Sequence, residues 1–356
     1  MYGLRLCGLL YIGYGRRYRG TRNVWGGEMC GGICNLGGMK QGIDGAELLT
    51  VIIPVRNRKV LLGETLKSIS MQQEVMPGKV RMIVVDNGST DGAREMVEQW
   101  IEREAPAWLC VEIIREDRRG ACVARNRGLA AAKGEWVMFF DSDDVMDHNH
   151  LRSVVDAIET LGKDADVICW DVAFRKCDGK KGIYRSMVDG DVWLNVIMRG
   201  TLSTQRYCCR RDAVIAAGGW DEDVEVWNDW ELSVRLVVNG VRLVRRPGVP
   251  TVTIVVHCDS ITGNRFSDKP GKRELAMERA KEYALRKEME RVVRLIEMKG
   301  AVLAGDYARE GEAELSKRLI DELVEHGVVS AWKLRIMAVV ERILGRGASV
   351  VAKVVE

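Results

Sequence analysis

Trp136-Val137-Met138-Phe139-Phe140-Asp141-Ser142-Asp143-Asp144 sets five apolar residues directly before four polar ones. A run this short, aromatic and apolar predicts a buried strand, with the carboxylates emerging at its carboxyl end. In open α/β sheets, ligands bind in the crevice at that end of the strands. Asp141 and Asp143, one residue apart, offer hard oxygen donors suited to Mg²⁺ or Mn²⁺. Such a cation commonly holds a diphosphate, so a nucleotide-activated substrate is the leading expectation. The plainer reading is a turn or helix cap, which Asp and Ser both favour.

Outward from this stretch the same pattern recurs. Leu48 to Val55, Val80 to Val85 and Val111 to Ile114 predict buried strands. Helical spacing fills the gaps at Leu61 to Gln73, Ala93 to Glu104 and Cys122 to Ala132. Leu151 to Leu161 predicts a further helix and Val167 to Phe174 a further strand, while residues 186–262 are more mixed. Beyond about residue 270 the chain is helical, over 273–298, 312–326 and 331–344. Strand–helix alternation implies right-handed βαβ units, hence a mostly parallel, Rossmann-like sheet flanked by helices.

Residues 1–45 differ from the rest, holding about a third of the 37 glycines with no period of 2 or 3.6. Such a segment cannot bury enough surface to offset its ordering entropy, so a disordered tail is expected, with Met39 as an alternative start. The domain expectation is thus a tail over 1–45 and an α/β domain over 46–270, divided into a nucleotide-binding half (46–145) and an acceptor half (146–270). A helical extension over 271–356 follows.

The net charge of +3 argues against a nucleic-acid partner. No apolar stretch approaches the roughly 18–20 residues of a membrane span. The basic residues near the N-terminus follow the apolar Leu4 to Ile12, the reverse of a secretory signal. Ten scattered cysteines without a CxxC pair fit reduced thiols, so a cytoplasmic location is expected, including the inner face of the membrane.

Two further loops close strands on the same side. Pro54-Val55-Arg56-Asn57 ends the first strand, and Asp86-Asn87-Gly88-Ser89-Thr90-Asp91 follows the second. Asp86 could accept hydrogen bonds from a base or ribose, or the loop could simply cap the next helix. Arg119, Gly120 and Arg125 bracket the third helix start, where guanidinium groups suit a diphosphate, though solvated surface arginines are the plainer reading.

Thr50 to Asn57, Val84 to Asp91, Gly120 to Gly128 and Phe140 to Asp144, in this order and spacing, closely resemble glycosyltransferase family 2. The resemblance covers roughly residues 48–265 and implies a GT-A fold with inverting chemistry. The chain departs from many members at Asn87, where a second Asp is common, and at Arg118, where an Asn is common. By this resemblance Pro54, Asn57 and Asp86 line the nucleoside pocket, Asp141 contacts ribose or metal, and Asp143 binds the Mn²⁺ or Mg²⁺ that bridges the donor diphosphate. Arg56, Arg119, Gly120, Arg125 and Ser142 complete the expected nucleotide-sugar pocket, with a UDP-sugar as donor. His257, in a Val255-Val256-His257 setting like the family's, is a candidate for the metal or diphosphate, or a structural strand-end residue.

Inversion also needs a base on the opposite face of the sugar. Asp229, in Val226-Trp227-Asn228-Asp229-Trp230-Glu231, aligns with the family's base, with Glu231 as the competing carboxylate and a helix cap as the bland alternative. Trp227 and Trp230 could stack on an acceptor sugar or belong to the core. His148 and His150 are expected as solvated helix-start residues. The C-terminal helices, with Trp332, Ile336, Val339 and Ile343 on one stripe, could pack on their own domain or rest on an anionic membrane.

The expected function is metal-dependent transfer of a sugar from a nucleotide donor to a glycan or lipid-linked acceptor in surface-polysaccharide assembly. A non-catalytic nucleotide-sugar-binding subunit of the same fold is the alternative. A nicotinamide dehydrogenase is disfavoured because no GxGxxG follows the first strand.

Overall fold

The computed structural model describes residues 47–176, 178–186, 188–257 and 265–345. The predicted tail over 1–45 and the residues after 345 lie outside the described residues.

Seven elements alternate first: β1 (Leu49–Val55), α1 (Lys59–Ser70), β2 (Val80–Asp86), α2 (Ala93–Arg103), β3 (Cys110–Arg115), α3 (Ala121–Ala131) and β4 (Trp136–Phe139). β1 pairs in parallel with β2 on one side and β4 on the other, and β2 pairs in parallel with β3. Most residues of these strands are buried, because helices cover both faces of a parallel sheet. α1 buries Leu62, Leu66 and Ile69, the residues whose spacing predicts its apolar face. On the other face α3 lies close to β1 and β2, because Gly128 has no side chain. A Cβ there would meet Ile52 Cγ2 at 2.4 Å and Val85 Cγ2 at 3.2 Å.

The chain continues through β5 (Val145–Met146), α4 (His150–Leu161), β6 (Val167–Cys169), β7 (Val172–Lys176), β8 (Lys181–Tyr184), α5 (Val192–Arg199) and β9 (Tyr207–Arg210). Then come α6 (Arg211–Ala216), α7 (Asn228–Val238), β10 (Leu243–Arg245), β11 (Val252–Val256), and the helices α8 (Pro270–Arg286), α9 (Glu290–Arg309), α10 (Ala313–His326) and α11 (Ala331–Leu344). The main sheet has the order β10-β6-β9-β4-β1-β2-β3, and a smaller one the order β5-β11-β7-β8. β9 runs antiparallel to both β4 and β6. Because β2 and β4 flank β1 on opposite sides, a switch point opens at the carboxyl ends of β1 and β4, where such folds bind ligands.

Two expectations are corrected here. The single strand expected from Val167 to Phe174 is two strands in different sheets. Between them Trp170 donates through its Nε1 to Gln205 O at 3.0 Å, and Asp171 pairs with Arg245 at 2.7 Å. These anchors turn the chain out of the main sheet. The helix expected over 273–298 is broken between α8 and α9, where Glu288 takes a left-handed φ of 56°. The apolar stripe continues across the break, so spacing alone does not reveal it.

The C-terminal helices share one apolar cluster with α5 and α7, joining Leu295, Leu303 and Leu334 to Leu194, Trp230 and Val234.

Candidate active site

A cleft of about 580 Å³ opens at the switch point. The end of β1 brings Pro54 to it, the loop after β1 brings Arg56 and Arg58, and the start of α3 brings Gly120 and Arg125. The segment after β4 brings Asp141, Ser142, Asp143 and Asp144, and a short turn brings Gln205. The cleft is also lined by Trp227, Asn228 and Asp229 at the start of α7, and by His257 just after β11.

The carboxylates of Asp141, Asp143 and Asp144 lie within 4.8 Å of one another. Asp141 is held on both oxygens, by Arg125 at 2.8 Å and by Gln205 at 2.5 Å. Arg125 is itself buried, lies 4.4 Å over the Trp220 ring, and reaches Asn228 at 3.3 Å. Asp144 is buried and accepts the Val255 N–H at 2.8 Å. Burial and the neighbouring Asp141 push the Asp143 carboxyl upward, with Arg58 and His257 pulling the other way. Burial together with Asp141 and Asp143 pushes Asp144 well above the carboxylate range. So much like charge in one small volume favours either bound protons or a cation.

The donor set fits a hard divalent cation. It consists of carboxylate oxygens, and the buried Nε2 of His257 has no hydrogen-bond partner among the described residues. Asp144 thus joins Asp141 and Asp143 in one cluster, and His257 lines the same cleft.

Asp229, which lines the same cleft, is half-buried, and burial raises its carboxyl above the ordinary range. It is not the cap of α7. That position is Trp227, whose φ of 61° turns the chain into the helix, while Asp229 Oδ1 accepts the Trp230 N–H at 2.8 Å. Glu231 points elsewhere: it is 1% exposed and bound on both oxygens by Arg235, at 2.6 and 2.5 Å.

Of the other expected residues, Trp230 is in the core and donates to Ile197 O at 2.9 Å, whereas Trp227 lines the cleft. Asn57 stands beside the cleft and ties two loops together, accepting from the Thr90 N–H at 2.8 Å. Asp86 is buried and accepts the Ser89 N–H at 2.9 Å, while its neighbour Asn87 reaches the cleft and accepts the Gly120 N–H. Arg119 is exposed and outside the cleft lining. His150 is corrected from solvated to fully buried, with Nδ1 2.8 Å from Thr251 Oγ1. Arg58 and Gln205 went unnoticed in the sequence, since neither falls at a distinctive motif position.

The family model Glycosyl transferase family 2 matches residues 50–215. Over that stretch, just under half of its length, the chain is similar to glycosyltransferase family 2. Glycosyltransferase GlyG of Streptococcus pneumoniae is 30% identical over 123 residues, covering 35% of this chain and 38% of GlyG. Glycosyltransferase AglE of Haloferax volcanii is 28% identical over 173 residues, covering 48% of this chain and 55% of AglE. The chain therefore aligns with only part of each relative's length. The structure of S. aureus TarS residues 1–349 in complex with UDP-GlcNAc superposes with a TM-score of 0.62 at 18% identity, over 83% of this chain and 87% of that one. That likeness is one of fold, the GT-A arrangement. The acidic cluster and Arg125 fall inside the matched stretch, whereas Trp227, Asp229 and His257 lie beyond it.

Proposed function

We propose that this chain, similar to glycosyltransferase family 2 over residues 50–215, transfers a sugar, with inversion, from a UDP-sugar to a glycan or lipid-linked acceptor in surface-polysaccharide assembly. One observation carries the reading: Asp229 and the Asp141–Asp143–Asp144 cluster face a single cleft of about 580 Å³. The UDP donor is supported by the complex of TarS, a protein of similar fold, with UDP-GlcNAc.

In the reaction the acceptor oxygen bonds to the anomeric carbon as the bond from that carbon to the phosphate oxygen breaks. Asp229 takes the hydroxyl proton, and its raised pKa makes it a stronger base than a solvated carboxylate. Asp143, with Asp141 or Asp144 and His257, would hold Mn²⁺ or Mg²⁺, which when bound offsets the charge growing on the departing nucleoside diphosphate. Arg125 and Gln205 fix the orientation of Asp141. Arg56 and Arg58 add positive charge at the donor end. Trp227 offers an aromatic wall for the acceptor.

The test compares wild type with Asp229→Asn across a panel of UDP-sugars and acceptors with Mn²⁺. Turnover should fall by about 10²–10⁴, the usual contribution of a general base. Both proteins should still be stabilised by donor, by about 2.7 kcal/mol at a hundredfold its dissociation constant. A loss below about tenfold would remove Asp229 from the base role. Stabilisation without turnover in the wild type would favour a binding subunit instead.

A further inference from the structure

Helix α11 carries two apolar stripes. Leu334, Met337 and Ala338 are buried against the C-terminal cluster, which accounts for one. The other is open: Trp332 is 58% exposed, Ile336 45%, Val339 53% and Ile343 73%. Steps of four, three and four residues, at about 100° each, hold these four side chains within an arc of about 60°. Arg335 and Arg342 flank the arc on one side and Lys333 on the other. The only acidic residue of the helix, Glu341, is buried and paired with Arg309 at 3.1 Å.

We infer that this face docks on an anionic lipid surface, Trp332, Ile336, Val339 and Ile343 entering the acyl–headgroup boundary and the three cations meeting the phosphates. The inference is independent of the transfer chemistry. Charge selects the occupant. A second copy would bring two sets of cations together with no acidic residue on either helix face to compensate, whereas an anionic bilayer complements them. Trp332, with Lys333 Nζ 5.9 Å from its ring, has the amphipathic shape favoured at such interfaces. Among the described residues no helix is long and apolar enough to cross a membrane, and the contact proposed here is made by one face of α11.

The test uses the full chain with vesicles free of polyprenyl lipid, either phosphatidylcholine alone or mixed with phosphatidylglycerol, in a sedimentation assay. Wild type should partition onto the mixed vesicles, weakly onto neutral ones, and less at high salt. Ile336→Glu with Ile343→Glu should abolish partitioning while leaving the circular dichroism spectrum and donor-induced stabilisation unchanged. Arg335→Gln and Arg342→Gln should each weaken it by about fivefold, the effect of about 1 kcal/mol per basic residue. Absence of wild-type binding, or undiminished binding by the Glu pair, would overturn the proposal. So would a dimer by light scattering that the Glu pair splits, which would assign the face to a second copy.

Discussion

The ammonium of Lys299 lies 5.2 Å from the ring centroid of Trp227, so helix α9 supports an indole that forms part of the cleft wall. Trp227, on a left-handed backbone, also sits 5.7 Å from Trp230 and 6.5 Å from Phe266, so Lys299 is one of several contacts that fix where its ring stands. Lys299→Met keeps the apolar stem and removes the charge. Cation–π contacts contribute about 0.5–2 kcal/mol, so the acceptor KM should rise by roughly 2- to 30-fold with the donor KM little changed. Steady-state kinetics with each substrate varied would check this, and an equal rise in both would contradict it.

The pH dependence of turnover should report Asp229. Burial raises its pKa, and only its deprotonated form accepts the acceptor's proton. Activity should therefore be lost as pH falls through a value above the usual carboxylate range near 4. A kcat/KM profile that stays flat down to pH 4 would count against this role.

Gln205 donates to Asp141 at 2.5 Å without being a ligand candidate itself. Gln205→Leu should weaken Mn²⁺ affinity by about 10- to 100-fold, as loss of an orienting partner commonly does. Mn²⁺-dependent thermal stabilisation is the readout, and an unchanged titration would show that Asp141 needs no such support.

Gly128→Ala should destabilise the fold by about 1–3 kcal/mol, since the new methyl meets Ile52 and Val85. The displaced α3 carries Arg125, so Asp141 loses part of its orientation too. Urea unfolding gives the first effect and donor affinity the second; wild-type stability would mean that the helix shifts freely.

Burial, with Arg246 adding to it, lowers the His150 imidazole to about 3. The unfolded chain takes up that proton near 6.5, the folded one only near 3. Stability from this group is complete above pH 6.5 and declines below it, by up to about 1.4 kcal/mol per pH unit. His150→Phe should flatten that slope relative to wild type. Matching acid slopes in the two proteins would assign the loss to other groups.

Much of the fold is legible because parallel strands buried on both faces read as unbroken apolar runs, as β1, β2 and β4 do. The acidic segment is legible because its carboxylates follow such a run. Tertiary anchors are not. Trp170 and Asp171 divert the chain through bonds to Gln205 and Arg245, partners distant in sequence. His150 looks polar and solvated until Thr251, a hundred residues on, is seen beside it. The resemblance favours Asp229 over Glu231 as the base, and only the structure shows the two bonds from Arg235 that tie Glu231 down.

The two-residue passage from β6 to β7 stitches the sheets together at Trp170 and Asp171. Amides of β11 should then exchange with solvent in step with those of β9, through one shared opening event. Exchange in step would mean that the wall carrying His257 opens only with the larger sheet.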